Sequence, residues 1–299
     1  MASAFRPTRQ VPGVHHRFVG KVVVTALNDG VLDAGFDWLT HIDPAEPPAM
    51  HAASFRAVPP RISVNAFLVQ LGQRLVLVDA GCGGGMGPAL GRVEENLAVL
   101  GVAPGTIDTV LLTHLHSDHV GGLVDGAGKA RLPNAELIVH ADELSFWQDD
   151  AVLAQASEEN RGFIRLARSV LEAYRGRVHK VVAGEVLPGV IVVPAPGHTP
   201  GHTAWLIASG GESLLIWGDV VHLQGVQFAR PGAGMWFDVD GALAIATRLR
   251  IMDMAATDRL LVAGMHLDFP AFGHVARAGE GYAFIPAVWT PSAGGLHAR

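Results

Sequence analysis

The chain is 299 residues long, 49% hydrophobic and only 17% charged, which excludes a disordered chain and allows one large domain or two small ones. Its 22 basic and 28 acidic residues leave a net charge of −6 with no basic run, which argues against a nucleic-acid backbone as partner. The single cysteine, Cys82, excludes an internal disulfide, and 15 histidines point toward metal or acid–base chemistry.

In chain order, residues 1–17 read as a polar, Pro-containing arm and 18–299 as a single domain. The stretch 21–27 (KVVVTAL) is β-branched and reads as a strand that breaks at Asn28-Asp29-Gly30. Residues 36–62 carry Pro44, Pro47, Pro48, Pro59 and Pro60, a long irregular excursion of the kind that forms interfaces or sites. Strands follow at 64–71 and 74–78 around a Gly72-Gln73 turn, then a glycine-rich loop (79–87) and a helix near 88–100. Further strands are expected at 109–112, 136–140, 190–193, 203–208, 213–217 and 260–263. Helices are expected from 141, over 158–174 with Phe163, Leu166, Val170 and Leu171 at helical spacing, and from a cap at Asp240 to about 254. Interleaved strands and helices indicate a layered α/β or α+β domain. The apolar runs LVLVDAG (75–81) and LLIWGD (214–219) both end near an aspartate, as two similar halves would. No run reaches the roughly 18 apolar residues of a membrane helix, and no apolar leader stands at the N-terminus, so a soluble, cytoplasmic protein without a membrane partner is expected.

The strongest signal is Thr113-His114-Leu115-His116-Ser117-Asp118-His119-Val120-Gly121-Gly122, directly after an apolar strand. Three imidazoles and a carboxylate within six residues are the ligands that suit zinc and similar divalent ions. His114 and His116 alternate onto one side of an extended run, and Asp118 and His119 follow as the chain turns, a spacing that serves two ions. The remaining ligands should come from other strand ends: the turn holding His198 and His202, Asp219 after the strand at 213–217, and His266 after the strand at 260–263.

With these motifs in this order, the chain resembles metallo-β-lactamase-fold hydrolases. The resemblance implies an α+β protein with a four-layer αββα sandwich, two mixed β-sheets flanked by helices, and a dinuclear site. It implies that His114, His116 and His198 hold one divalent ion, that Asp118, His119 and His266 hold the other, and that Asp219 bridges them. Zinc is the expected metal. It also implies that Asp79 orients a ligand histidine; a turn cap beside Gly81 is the competing reading. His202 is read as a supporting or structural group, and Cys82 as structural.

VTALNDGVLD at 24–33, HSDHVGGL at 116–123, GHTPGHT at 197–203, GDVVHLQGVQF at 218–228 and HLDFPAFGHV at 266–275 narrow the resemblance. It is to the methyl parathion hydrolase-like enzymes, a subgroup of phosphotriesterases, arylesterases and lactonases. This implies a homodimer and a substrate pocket lined by Met86, Trp147, Phe163 and His222, with core packing the competing reading for the two aromatics. Met86 stands where methyl parathion hydrolase has an aromatic residue, and His222 at a position expected to be apolar, so both depart from an organophosphate pocket.

The expected reaction is hydrolysis of a lactone or carboxylic ester with an apolar part, by a hydroxide shared between the ions, with Asp118 passing a proton to the leaving oxygen. Phosphotriester hydrolysis is the alternative. A glutathione thioesterase and a mono-iron persulfide dioxygenase share the histidine motif and stand further off. Basic residues for glutathione are not evident, and metal content separates the dioxygenase.

Overall fold

The computed structural model describes residues 10–291. The first half of the chain forms β1 (Val14–Val19), β2 (Val22–Asp33), β3 (Leu39–Thr40), α1 (Glu46–Ala53), β4 (Arg61–Leu71), β5 (Arg74–Val78), α2 (Val93–Val99), β6 (Thr109–Leu111) and α3 (Ser117–Val120). It continues with β7 (Glu136–His140), α4 (Ala141–Gln148), α5 (Asp150–Gln155), α6 (Glu158–Ala173) and β8 (Val178–Val181). The second half forms β9 (Gly184–Leu187), β10 (Val190–Pro194), β11 (Thr203–Ser209), β12 (Glu212–Ile216), α7 (Gln224–Gln227), β13 (Gly234–Met235), α8 (Gly241–Thr257), β14 (Leu261–Ala263), β15 (Phe272–Ala278) and β16 (Gly281–Pro286).

One seven-stranded sheet runs β1-β2-β4-β5-β6-β7-β8, the other β16-β15-β14-β12-β11-β10-β9, and β3 pairs with β13 as a separate ribbon. Both main sheets are mixed: β5 through β8 are parallel neighbours, as are β12 and β14, while β1-β2-β4-β5 are antiparallel. Alternation along each strand builds the layers. In β5, Val76 and Val78 join Trp205, Leu215 and Ile216 of the second sheet in one core. Leu77 turns the other way, into a core with Leu97 of α2, Trp147 of α4 and Ile164, Val170 and Leu171 of α6. α8 packs Ile251, Met252 and Ala255 against the second sheet. The result is helix, sheet, sheet, helix, the expected sandwich. Among the described residues no helix is long and apolar enough to cross a membrane.

Several expectations change. Residues 14–17 are not part of an arm; they pair in register with β2 as the first strand. β2 does not stop at Asn28-Asp29-Gly30 but passes through it with a register shift. Buried Asp29 explains the detour: its carboxylate turns inward and accepts from the N–H groups of Cys82, Gly91 and Val93, fastening the 79–93 loop. That loop runs as a series of turns to Arg92, so α2 begins five residues later than expected, at Val93. The 36–62 excursion contains α1 and β3, and β3 ties it to the 234–235 segment. Strands β8, β9, β15 and β16 and helix α5 were not anticipated.

The loops after β5, β6, β10, β12 and β14 gather at one end of the two sheets. Gly121 and Gly122 allow the α3 turn to lie on the 80–82 backbone. A Cβ at either would meet the Cys82 or Ala80 carbonyl oxygen at 2.2 or 2.0 Å.

Candidate metal centre

His114 leaves β6 in the extended run, and His116 takes the extended N-cap position of α3, so Asp118 and His119 fall on that helix's first turn. His198 stands in the turn between β10 and β11. Asp219 follows β12 in a tight turn of its own, and His266 follows β14. The fold brings these seven side chains together as two trios with Asp219 between them. His114, His116 and His198 form one and Asp118, His119 and His266 the other, each with donor atoms within 4.8 Å of one another.

Asp219 lies between them. Its Oδ2 is 3.7 Å from His114 Nε2, 3.3 Å from His198 Nε2 and 3.1 Å from His266 Nε2, and its Oδ1 is 3.2 Å from His119 Nε2. His116 Nδ1 is 2.9 Å from both His114 Nε2 and His198 Nε2. Ligands about 2.0–2.1 Å from a tetrahedral zinc ion stand about 3.4 Å apart, so these separations suit a divalent ion. His119 Nε2 and Asp219 Oδ1 are buried and have no hydrogen-bond partner, as donors reserved for an ion would be.

The outer ring nitrogens of His114, His119, His198 and His266 are engaged by protein groups, which orients these rings with their other nitrogens facing inward. His119 Nδ1 donates to Asp79 at 2.7 Å, His198 Nδ1 to Asp238 at 2.9 Å and His266 Nδ1 to the Ser63 carbonyl at 3.0 Å. Thr113 donates its hydroxyl to Asp79 and accepts from His114 Nδ1 at 3.0 Å. His202 is occupied at both nitrogens: Nε2 accepts from the Asp219 N–H and Nδ1 donates to the Ala195 carbonyl. It therefore holds the Asp219 backbone rather than an ion. Gly218 leaves room for this, since a Cβ there would meet His202 Nε2 at 2.4 Å.

The electrostatics follow from burial among mixed charges. Burial, then the repulsion of neighbouring imidazoles, holds His114 and His116 well below the usual imidazole range. Burial alone would raise the Asp219 carboxyl, but His119, His266 and His114 outweigh it and keep the carboxylate ionised. Burial also opposes charge on His198, yet the Asp219 and Asp238 carboxylates raise it to about 9. Burial holds His202 down to about 3. In the metal-free chain, burial thus favours the neutral ring at His114, His116 and His202, while the neighbouring carboxylates favour a proton on His119, His198 and His266.

Above the centre opens a cavity of about 270 Å³. Met86, Phe163 and His222 line it, together with Trp38, Trp236 and Phe237, which the sequence did not single out. His222 is buried, donates from Nε2 to Asp219 at 3.0 Å and stacks on His266 with ring centres 5.0 Å apart. Trp147 is buried, gives its indole N–H to Glu143, meets His116 edge to face with ring centres 5.3 Å apart, and lines an adjoining cavity with His116, Phe163 and Phe237 rather than the one above the donor trios. Helix α4 turns that side chain inward because the buried Glu143 carboxylate one turn earlier is its partner. Cys82 is buried against Val64, Leu90 and Met86. Asp238 and Glu143 went unread because the partners that link them to the ligand segments lie far away along the chain. The only local hint for Asp238 is its place beside Phe237, just before the helix cap Asp240.

The sequence profile of the metallo-beta-lactamase superfamily matches residues 59–266, more than two thirds of the chain. The chain belongs to that superfamily. A solved structure described as hydrolase AbOPH in the beta lactamase superfamily superposes with a TM-score of 0.89 at 34% identity, covering 94% of this chain and 100% of that one. AidC, a dizinc quorum-quenching lactonase solved with N-hexanoyl-L-homoserine as product, superposes with a TM-score of 0.88 at 26% identity, covering 93% and 99%. An N-acyl homoserine lactonase from a Bacillus species is 32% identical over 163 residues, 53% of this chain and 56% of that one. YobT of Bacillus subtilis (strain 168) is 28% identical over 168 residues, 56% of this chain and 66% of that one. The match thus spans about half to two thirds of the length of these curated relatives.

Proposed function

We propose that this metallo-hydrolase uses two divalent ions, zinc where supply is ordinary, to cleave a lactone or carboxylic ester bearing an apolar group. The observation that carries the reading is the shared Asp219 carboxylate between two trios of donors, at the floor of an apolar-walled cavity. His114, His116 and His198 would hold one ion, Asp118, His119 and His266 the other, and Asp219 both. When bound, the ions supply Lewis acidity and lower the pKa of a water toward neutrality.

The protein's own groups do the rest. Asp118, whose side chain keeps 16% exposure, faces the cavity and is placed to pass a proton to the leaving oxygen. Asp79 and Asp238 hold the rings of His119 and His198 in the tautomer that offers a bare nitrogen inward. Trp38, Phe163, Trp236 and Phe237 seat the apolar part of the substrate and exclude water. His222 adds a polar edge at the floor, which suits a carbonyl substrate better than a bulky aryl phosphotriester. We also infer a homodimer, for which the fully exposed Phe55 and the half-exposed Val58 of the 36–62 excursion are contact candidates.

The test is a panel on the purified, zinc-loaded chain: acyl-homoserine lactones, aryl esters, an aryl phosphotriester and a glutathione thioester. Lactones or aryl esters should turn over fastest, with the phosphotriester a weak side reaction. A faster phosphotriester or thioester reverses the assignment. A single iron with oxygen consumption on a persulfide removes it.

A further inference from the structure

Glu143, on α4, is fully buried and belongs to neither donor trio. Its Oε1 accepts from the Leu115 N–H at 3.0 Å and from the Trp147 indole N–H at 2.5 Å. Its Oε2 accepts from the Thr199 hydroxyl at 2.6 Å and from the Gly201 N–H at 3.0 Å. Leu115 sits between His114 and His116, and Thr199 and Gly201 directly follow His198. One carboxylate therefore bonds both chain segments that carry the first trio. A backbone bond from the Thr203 N–H to the Thr113 carbonyl joins the same segments, one residue before His114 and five after His198. Asp118, His119 and His266 are held otherwise, by Asp79 and the Ser63 carbonyl among their partners. The approach is close: a Cβ on Gly201 would lie 2.2 Å from the Glu143 nitrogen.

We propose that Glu143 is a positioning residue for one ion only, holding His114, His116 and His198 at the spacing that ion needs. The proposal rests on the dinuclear reading above. The charge and the two-sided acceptor geometry are both required. A carboxylate accepts on both oxygens, and each oxygen here takes two donors. A glutamine has one oxygen. Turned one way, its amide NH2 faces the Gly201 N–H; turned the other, it faces the N–H groups of Leu115 and Trp147. Either way one side of the clamp meets a donor it cannot accept from, and the two segments are no longer tied at a fixed distance.

The test measures zinc affinity of the metal-free full-length chain by competition with a chromophoric chelator, in Glu143→Gln and in two backgrounds. Removing a group that supports a ligand typically weakens metal binding about 10–100-fold. Glu143→Gln should weaken one of two ions by that factor and leave the other at its wild-type affinity. Added to His266→Ala, which damages the second trio, it should weaken the ion that remains. Added to His198→Ala, which already damages the first trio, it should change nothing further. Thr199→Val removes one of the four bonds while keeping the carboxylate, and should give a smaller shift of the same ion; it carries the test if Glu143→Gln does not fold. Equal weakening of both ions, or of neither, overturns the proposal, as does an equal effect of Glu143→Gln in the two backgrounds. A wild-type chain that takes up fewer than two ions overturns the dinuclear reading instead, before any variant is measured.

Discussion

The cavity walls set a measurable dependence on the length of an apolar substrate chain. Trp38 and Phe237 meet edge to face at 5.9 Å, Trp236 and Phe237 at 5.5 Å, and all three line the cavity over the donor trios. A fully buried methylene contributes about 0.8 kcal/mol, roughly fourfold in kcat/KM. Trp236 keeps 46% of its surface exposed, so a chain lying along it is buried by about half. That halves the expected gain to about 0.4 kcal/mol, or roughly twofold per methylene. From a butanoyl to an octanoyl lactone, four methylenes longer, kcat/KM should therefore rise about 15-fold. Trp236→Ala removes the half-open wall and should cost the octanoyl substrate up to about tenfold, with little change for the butanoyl one, in line with about 0.5–1.5 kcal/mol for a lost aromatic contact. The assay is steady-state hydrolysis followed by acid release, with melting temperatures to show that both proteins are folded. Equal loss on short and long chains, or a wild-type kcat/KM independent of length, refutes the reasoning.

Asp219→Ala removes the one carboxylate that stands within 3.0–3.7 Å of five imidazoles, so turnover should fall by orders of magnitude and metal content below two per chain, while circular dichroism stays native. Near wild-type turnover with two ions would show that the bridge lies elsewhere. Stability should also depend on pH with a definite sign. Burial holds His202 down to about 3 and His222 to about 4, so the unfolded chain binds protons that the folded one refuses. Their contribution is present above pH 6.5 and is lost as pH falls toward 4, at up to about 1.4 kcal/mol per pH unit for each. In the metal-free chain His198, raised to about 9, works the other way: its contribution is full below pH 6.5 and lost as pH rises through 9. Urea unfolding of the metal-free chain should therefore give a maximum near neutrality; a flat profile from pH 4 to 9 refutes these assignments.

How much was legible follows from where each partner lies. The ligand run 114–119 is local, so its spacing alone announced the chemistry, and the strands that feed the site are short, apolar and β-branched. β8, β9, β15 and β16 carry partly exposed sequences such as VHKV and GEVL, whose pattern resembles loop more than sheet. β2 was cut short because Asn-Asp-Gly is normally a turn; here Asp29 spends its carboxylate on three N–H groups of a loop more than fifty residues on, which no local pattern reveals. Asp238 and Glu143 escaped for the same reason, the partners that tie them to the ligand segments being 28 to 58 residues away. The cavity wall escaped because the β3–β13 ribbon joins two segments nearly two hundred residues apart. Trp147 answers to both readings: it packs in the core with its indole N–H on a buried carboxylate one helical turn away, and it lines a cavity beside His116 and Phe163.

The two aspartates at the ends of β5 and β12 stand in similar places and divide the labour at the site. Each follows a strand with a parallel neighbour, β6 beside β5 and β14 beside β12. Asp79 bends into a left-handed conformation, φ +55°, and its oxygens are taken by the Thr113 N–H, the Thr113 hydroxyl and the His119 ring. Asp219 has its backbone N–H held by His202, and its Oδ1 is left without a hydrogen-bond donor among the imidazoles. A carboxylate saturated by donors can only orient a ring. One kept ionised by neighbouring imidazoles, with an oxygen still unpaired, is the one available to ions. The difference lies in what surrounds each aspartate: a threonine and one ring nitrogen at Asp79, and five converging imidazoles at Asp219, two from the first half of the chain and three from the second.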